Sequence, residues 1–554
     1  MNRVLEKVFP AYSRHATARS YYSAPEGSTR ASVQFRVQYA GTNAIPDGRV
    51  VLFFAPAAVP EPRLEAFELE DLRPLFAKDV QNVQPGDVIE FESSEFSRPD
   101  ALGFVPADLS NFQSELFVQA LVNLNLSDPD ANTCAGNWFS LPTQVHFAPP
   151  TAAGARVVVN VVAGQVVEDE MELADTEWIE HITLKSELLS AYHGKDVHIT
   201  ASVVLPKGYQ DLRQQQSQQQ RERQEGVYPT VFYIEGFGGC RTHAARAEAF
   251  VASEMGADWR AGKWPVPMFR VTLGSRFKFG HTSFADSAVN GPWGTALVQE
   301  FIPYFERMYP SAVSAARGRF LHGHSSGGWS TLWLQLHFPS FFSGAWSSAP
   351  DPVDFAHFQV ANIYESDNMY WDPYGRPIPT YRCDGQVVCS ARDENQLERV
   401  YGRGNGGQWD AFSAVFSPRD PATGMPVPLF DKVTGEIDRA VAAFWERSDI
   451  VRWLRARPEL LTGGALHGKL HVVCGSEDNY YLNDACRSLQ QLLTSTVEVT
   501  AASVAGTVAP AVPNYVALVP GDHSSIRTRA HYQQVYDEIA RVYMSSASAL
   551  GHQQ

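Results

Sequence analysis

The chain has 554 residues, of which 44% are hydrophobic and 19% charged, and carries a formal charge of −16 at pH 7. That length asks for two or three domains, and that composition belongs to a globular rather than a disordered chain. The acidic balance offers no basic surface to phosphate backbones, so nucleic acid is not an expected partner, and it opposes docking on anionic membranes. No run of about 18 apolar residues occurs, so no membrane span is expected.

Residues 1–30 read as a polar tail. Arg3, Lys7, Arg14 and Arg19 face a single acid, Glu6; this is similar to an organelle transit peptide, although a loose tail is the plainer reading and a cytoplasmic place is favoured. From 31 to 175 the chain reads as a β-rich, sandwich-like accessory domain. The segments ASVQFRVQYA, RVVLFFAP, ELFVQALVNLNL and RVVVNVVAG alternate or run apolar over strand lengths between Pro, Gly and Asp turns. VHITASVVLPKGY (197–209) is a further strand, and the run QQQSQQQRERQ after it reads as a surface loop.

After Tyr228 the pattern changes. Short apolar strands (TVFYIEG, FRVTL, GRFLHG, KLHVVCG, YVALVPG) alternate with helical segments such as WSTLWLQLHFPSFF and HYQQVYDEIARVYM. Strand–helix alternation predicts a mostly parallel sheet with helices on both faces over about 180–550. Between about 351 and 464 the alternation lapses into a Pro-, Gly- and aromatic-rich insert. A structureless loop of that length is improbable, so it reads as a cap or lid with some helix.

The chemistry concentrates at GRFLHGHSSGGWSTLW. Gly323-His324-Ser325-Ser326-Gly327 fits G-x-S-x-G, with a short strand entering it (Arg319 to His322) and a helix leaving it near Gly328. That strand–turn–helix is the setting of a nucleophile elbow. A serine hydroxyl needs a base held by a carboxylate, and in this fold class the chain order is Ser, acid, His. KLHVVCG runs into Ser476-Glu477-Asp478 and YVALVPG into Asp522-His523, each at the C-terminal end of a strand. Asp478 is the expected acid, with Glu477 as runner-up; Asp522 is a further candidate, but it sits beside His523 in sequence, so its side chain would tend to point away. For the oxyanion, the N–H of Ser326 is one expected donor. The turn in VFYIEGFGGC supplies the other, from Phe237 or alternatively Gly238.

Other features rank lower. Gly402 to Gly407 (GRGNGG) fits G-x-G-x-x-G without a preceding strand, which argues against a dinucleotide site. His322 and His324 flank the elbow; no third ligand accompanies them, so packing or pocket lining is the reading and no metal is expected. His281, Asp286, Ser287 and Asn290 gather in one loop. Of these, His281, Asp286 and Asn290, with His324, are candidate pocket residues, capping being the equal alternative. Six cysteines form no C-x-x-C; Cys383/Cys389 and Cys474/Cys486 are candidate bridges in an oxidising compartment and free thiols otherwise.

IEGFGG, ADSAVNGPWG, GHSSGGW, CGSEDNYYL and PGDHSS, in that order, resemble the "Putative esterase" group related to esterase D and the enterochelin esterases. The resemblance spans about 180–545. It implies an α/β-hydrolase fold, hydrolysis of a small-molecule carboxylic ester without metal or organic cofactor, and a triad on Ser325, Asp478 and His523. Two other readings stay open, acyl transfer on the same triad and a non-catalytic binding module. The acyl group, the alcohol and the oligomeric state are not legible.

Overall fold

A computed structural model describes residues 32–551, apart from 66–68, 93–100, 105–114, 127–129, 147–155, 169–172, 219–225, 240–242, 403–406, 462–463 and 502–509. The polar tail 1–30, the middle of the GRGNGG motif and the end of the Gln-rich run lie outside the described residues. The chain divides into two compact units, one of Met1–Met171 with Val387–Gly407, the other of Glu172–Gln386 with Gln408–Gln554.

Among the described residues the sheet of the first unit has nine strands: β1 (Ser32–Tyr39), β2 (Ile45–Ala55), β3 (Leu75–Val83), β4 (Val88–Glu92), β5 (Ala101–Phe104), β6 (Glu115–Asn123), β7 (Trp138–Ser140), β8 (Thr143–His146) and β9 (Arg156–Val166). Their order is β4-β1-β9-β7-β6-β2-β3-β5, with β8 also on β6. Three strands separate β1 from β2, yet the Phe35 and Phe54 rings sit 5.4 Å apart, edge to face. The sheet therefore curls until its apolar face closes on itself, as in a sandwich, over Val37, Val50, Leu52, Phe76 and Val118.

One helix of this unit, Ala391–Gly402, comes from much later in the chain and lies along β3 and β5. The Arg49 side chain, 2% exposed, donates from Nε (3.0 Å) and Nη2 (2.9 Å) to the carbonyl of Val400. A guanidinium there satisfies carbonyls that the helix end leaves without intrahelical partners and matches the sign of the helix dipole. Residues 387–407 fall within the stretch expected as a cap, and they group with the first unit rather than with the strands that flank them in sequence.

The second unit is built on eight strands: β10 (Ile179–Lys185), β11 (His198–Val204), β12 (Thr230–Ile234), β13 (Phe269–Leu273), β14 (Arg319–His324), β15 (Ala345–Ser348), β16 (Leu470–Gly475) and β17 (Tyr515–Val519). Their order is β10-β11-β13-β12-β14-β15-β16-β17; β11 is antiparallel to both neighbours and the rest run parallel. Counted from the first strand this is 1-2-4-3-5-6-7-8 with an inverted second strand, the α/β-hydrolase sheet. Every residue of β12 and β13 is buried, which is why both read as unbroken apolar runs rather than alternating ones. The final helix, Arg529–Gly551, presents Tyr532, Val535, Tyr536 and Ile539 at helical spacing to Val231, Phe320 and Trp346. Each such burial contributes about 1.5–3 kcal/mol.

The pairing register places the site. Ile234 lies opposite Gly323, His324 opposite Ser348, Ser348 opposite Val473 and Gly475 opposite Val519. The loops leaving β12, β14, β15, β16 and β17 thus emerge along one rim, where ligands bind in open parallel sheets. Two local expectations need correction. The Gln-rich run is not loop from its start, because a helix, Tyr209–Gln218, extends into it; Gln is a good helix former. The helix after the elbow begins at Ser326, two residues before Gly328, since the strained turn is a single residue.

Candidate active site

Ser325 holds φ 56° and ψ −124°, between the end of β14 and the helix Ser326–His337. A non-glycine residue in this region costs about 1–3 kcal/mol, so the surroundings must impose it. The Ser325 N–H donates to Ser348 O at 2.9 Å, and its carbonyl accepts from Trp329 N at 3.0 Å and Asp351 N at 3.2 Å. Gly327 is required by close approach, because a Cβ there would stand 2.0 Å from the Ile234 carbonyl oxygen. The strand-to-helix turn thereby presses against the end of β12 and lifts Ser325 onto the rim.

The loop after β12 lies beside the serine. A Cβ on Gly236 would come within 2.9 Å of Ser325 Cβ and 3.5 Å of its Oγ. The Gly236 N–H is already taken by the Glu235 carboxylate at 3.1 Å. Phe237 then opens a short 3-10 turn, Phe237–Gly239, and the first N–H of such a turn has no partner inside it. Ser326, 2% exposed, likewise begins a 12-residue helix, where N–H groups and the dipole both favour negative charge.

Glu235 anchors this loop. Its carboxylate, on a residue 4% exposed, accepts from Tyr233 Oη at 3.2 Å and Arg527 Nη2 at 3.1 Å, with Arg246 Nε at 3.5 Å. Burial alone would raise its pKa, but the charges of Arg527 and Arg246 outweigh that and hold it below the usual value. The Glu235 carbonyl accepts from His281 Nε2 at 2.9 Å, and His281 Nδ1 accepts the Ser283 N–H at 2.9 Å. Burial pushes the His281 pKa down to about 4, so the ring is a neutral Nε2–H tautomer locking the turn.

On the far side of the serine, His523 Nδ1 lies 2.8 Å from Asp478 Oδ2. Asp478 is fully buried, and its Oδ1 accepts the N–H groups of Tyr480 (2.9 Å) and Leu482 (3.4 Å). The His523 N–H donates to Asn479 Oδ1 at 3.1 Å, and Tyr480 sets its ring edge on the imidazole, centroids 5.0 Å apart. Burial would lower the His523 pKa; the charge and hydrogen bond of Asp478, with the charge of Asp351, outweigh it and carry the pKa above the ordinary 6.5.

Asp351, just beyond β15, is the carboxylate that no sequence pattern singled out. It is 4% exposed; its Oδ2 accepts from Ser326 Oγ at 2.5 Å and its Oδ1 from Ser325 Oγ at 3.4 Å. Among the described residues the nucleophile-candidate hydroxyl bonds to Asp351 and not to His523, whose Nε2 carries no hydrogen bond.

The remaining candidates separate. Ser325, Asp478 and His523 share the rim. Glu477 turns outward and pairs with Arg382 at 3.3 Å, and Asp522 caps its own turn through the N–H groups of Ser524 and Ser525. His324 packs its ring against that of His523, centroids 4.7 Å apart and tilted by 46°, and burial holds it neutral. Asp286 is exposed and caps at Thr295, as its capping alternative has it, while Asn290 is buried with its carbonyl on His193 Nε2. Gly238 has open space where a Cβ would stand. Cys383, Cys389, Cys474 and Cys486 are free thiols, and Cys474 Sγ lies 3.9 Å from Asp478 Oδ2. Glu235 and Arg527 were missed as well. The one local signal was a charged residue closing an apolar strand just before the glycines of the loop.

No curated protein matches the sequence. Among solved structures, similarity is found to a ferulic acid esterase (14% identity, 66% of this chain and 98% of that one, TM-score 0.36). It is also found to FphF, a fluorophosphonate-binding serine hydrolase of Staphylococcus aureus (13%, 66% and 98%, 0.33), and to an S-formylglutathione hydrolase from Agrobacterium tumefaciens (14%, 67% and 95%, 0.33). The family model described as "Putative esterase" matches residues 190–526, more than half of the chain, a span that includes Ser325, Asp478 and His523. The chain belongs to the "Putative esterase" family and is a serine esterase of the α/β-hydrolase fold.

Proposed function

We propose that this enzyme cleaves its carboxylic ester through a covalent acyl-enzyme on Ser325, with His523 as base and Asp478 as its orienting acid. The observation that carries this is the 2.8 Å contact of His523 Nδ1 with a fully buried carboxylate. It fixes the tautomer with the proton on Nδ1 and leaves Nε2 free to accept. Ser325 Oγ rotates from Asp351 toward Nε2 and attacks the carbonyl carbon. The proton passes to His523 and then to the departing alcohol; water repeats the sequence to release the acid. The N–H groups of Ser326 and Phe237 hold the oxyanion.

Labelling with a fluorophosphonate probe, followed by hydrolysis of p-nitrophenyl esters of rising chain length, tests the reading. Wild type should label and turn over, and Ser325→Ala should do neither; equal labelling of the two places the nucleophile elsewhere. Phe237→Pro removes one N–H at a position where proline fits a helical start, and should lower kcat by about 10²–10³. Product analysis with alcohol acceptors separates hydrolysis from acyl transfer.

A further inference from the structure

Asp351 is a buried carboxylate whose hydrogen-bond donors are two serine hydroxyls. Among the described residues no lysine or arginine pairs with it, and the charged groups that bear on it are His523 and Asp478. Gln408 Nε2 reaches Ser326 Oγ at 3.4 Å, so the same cluster is closed from the helix Gln408–Phe416. A buried carboxylate without a cation is expensive unless its oxygens are satisfied, and burial pushes this one up to about 6. Near neutral pH it is mostly ionised.

Catalysis leaves it worse off. As Ser325 Oγ bonds to the carbonyl carbon its proton goes to His523, and as the ester C–O bond breaks that proton leaves on the alcohol. The acylated Oγ has no hydrogen left, so Asp351 Oδ1 loses the donor it had at 3.4 Å. An acceptor is thereby left without its donor 3.4 Å from the reacting oxygen.

We propose that Asp351 is a specificity-determining residue that accepts a hydrogen bond from a hydroxyl or ammonium group of the substrate, within one or two carbons of the ester. The proposal rests on Ser325 being the nucleophile. An unsubstituted chain leaves Oδ1 unsatisfied, and an anionic substituent is repelled. The donor belongs to the acyl or to the alcohol part, and the two arms of the test tell them apart.

In the first arm, kcat/KM is measured by pH-stat for ethyl propionate, ethyl lactate, ethyl alaninate and monoethyl malonate. The second arm uses ethyl acetate, 2-hydroxyethyl acetate and 2-(dimethylamino)ethyl acetate. In one arm the donor-bearing esters should exceed the plain one by about tenfold or more, as a hydrogen bond to a charged group allows. Monoethyl malonate should fall below ethyl propionate. Asp351→Asn should bring these ratios toward one, with Asp351→Ser as the second variant if the first does not fold. Wild-type ratios within about twofold of one in both arms overturn the proposal without any variant. An equal loss on every ester in the variants also overturns it, because that is the mark of a purely structural role. Hydrolysis of ethyl propionate with flat ratios sinks this proposal alone; no hydrolysis and no probe labelling at Ser325 sinks the triad reading with it.

Discussion

At the scale of single residues, the site sets two carboxylates to opposite uses. Asp478 is satisfied by the His523 ring and two N–H groups and raises the pKa of the imidazole it holds. Asp351 is held by hydroxyls alone and has its own pKa pushed up to about 6. A carboxyl whose native pKa exceeds its unfolded value binds more protons when folded, so its charge weighs against the native state as pH rises from about 4 to 6, and fully above that. Asp351→Asn should therefore raise stability at pH 7.5 by roughly 1–3 kcal/mol and leave it unchanged near pH 4, as read by urea unfolding. The same variant removes one of the charges that lift His523. The acid limb of kcat/KM should lie above pH 6.5 in wild type and move to lower pH in Asp351→Asn. A limb that stays in place would mean that Asp351 does not feel the base.

At the scale of elements, the rim is tied together by Glu235 and Arg527. Arg527 lies four residues after His523, and its 3.1 Å bond to Glu235 joins the loop carrying His523 to the loop carrying Phe237. Removing Arg527 leaves the buried Glu235 carboxylate with Arg246, at 3.5 Å, as its remaining cation among the described residues. Arg527→Met should cost about 2–4 kcal/mol, the lower end reflecting its 28% exposed side chain. Glu235→Gln together with Arg527→Met should recover part of that loss. A double variant as unstable as the sum of the two singles would show that they do not act as a pair.

At the scale of the whole molecule, the N-terminal unit is discontinuous, because residues 387–407 return to it from the middle of the second unit's sequence. A chain beginning at 172 keeps that helix but loses the strands it lies on. It should aggregate or melt early in size-exclusion and thermal-unfolding experiments. The same chain with 387–407 replaced by a Gly/Ser linker of equal length should fold and hydrolyse esters. Equal behaviour of the two would show that the helix is self-sufficient.

What the sequence by itself determined is what is written contiguously in the chain. The elbow is a strand, one strained serine and a helix in unbroken order, so its residue types sit side by side. The order Ser325, Asp478, His523 follows from three strand ends, and buried parallel strands announce themselves as apolar runs. Asp351, the Glu235–Arg527 tie and the return of 387–407 were decided only by tertiary structure. Each depends on groups distant in sequence, or on which oxygen faces which hydroxyl across a turn; an aspartate after a strand and a glutamate before a glycine look the same whether they meet a nucleophile or water. Long-range pairing, set by sheet register, gave those residues their neighbours and hence their chemistry.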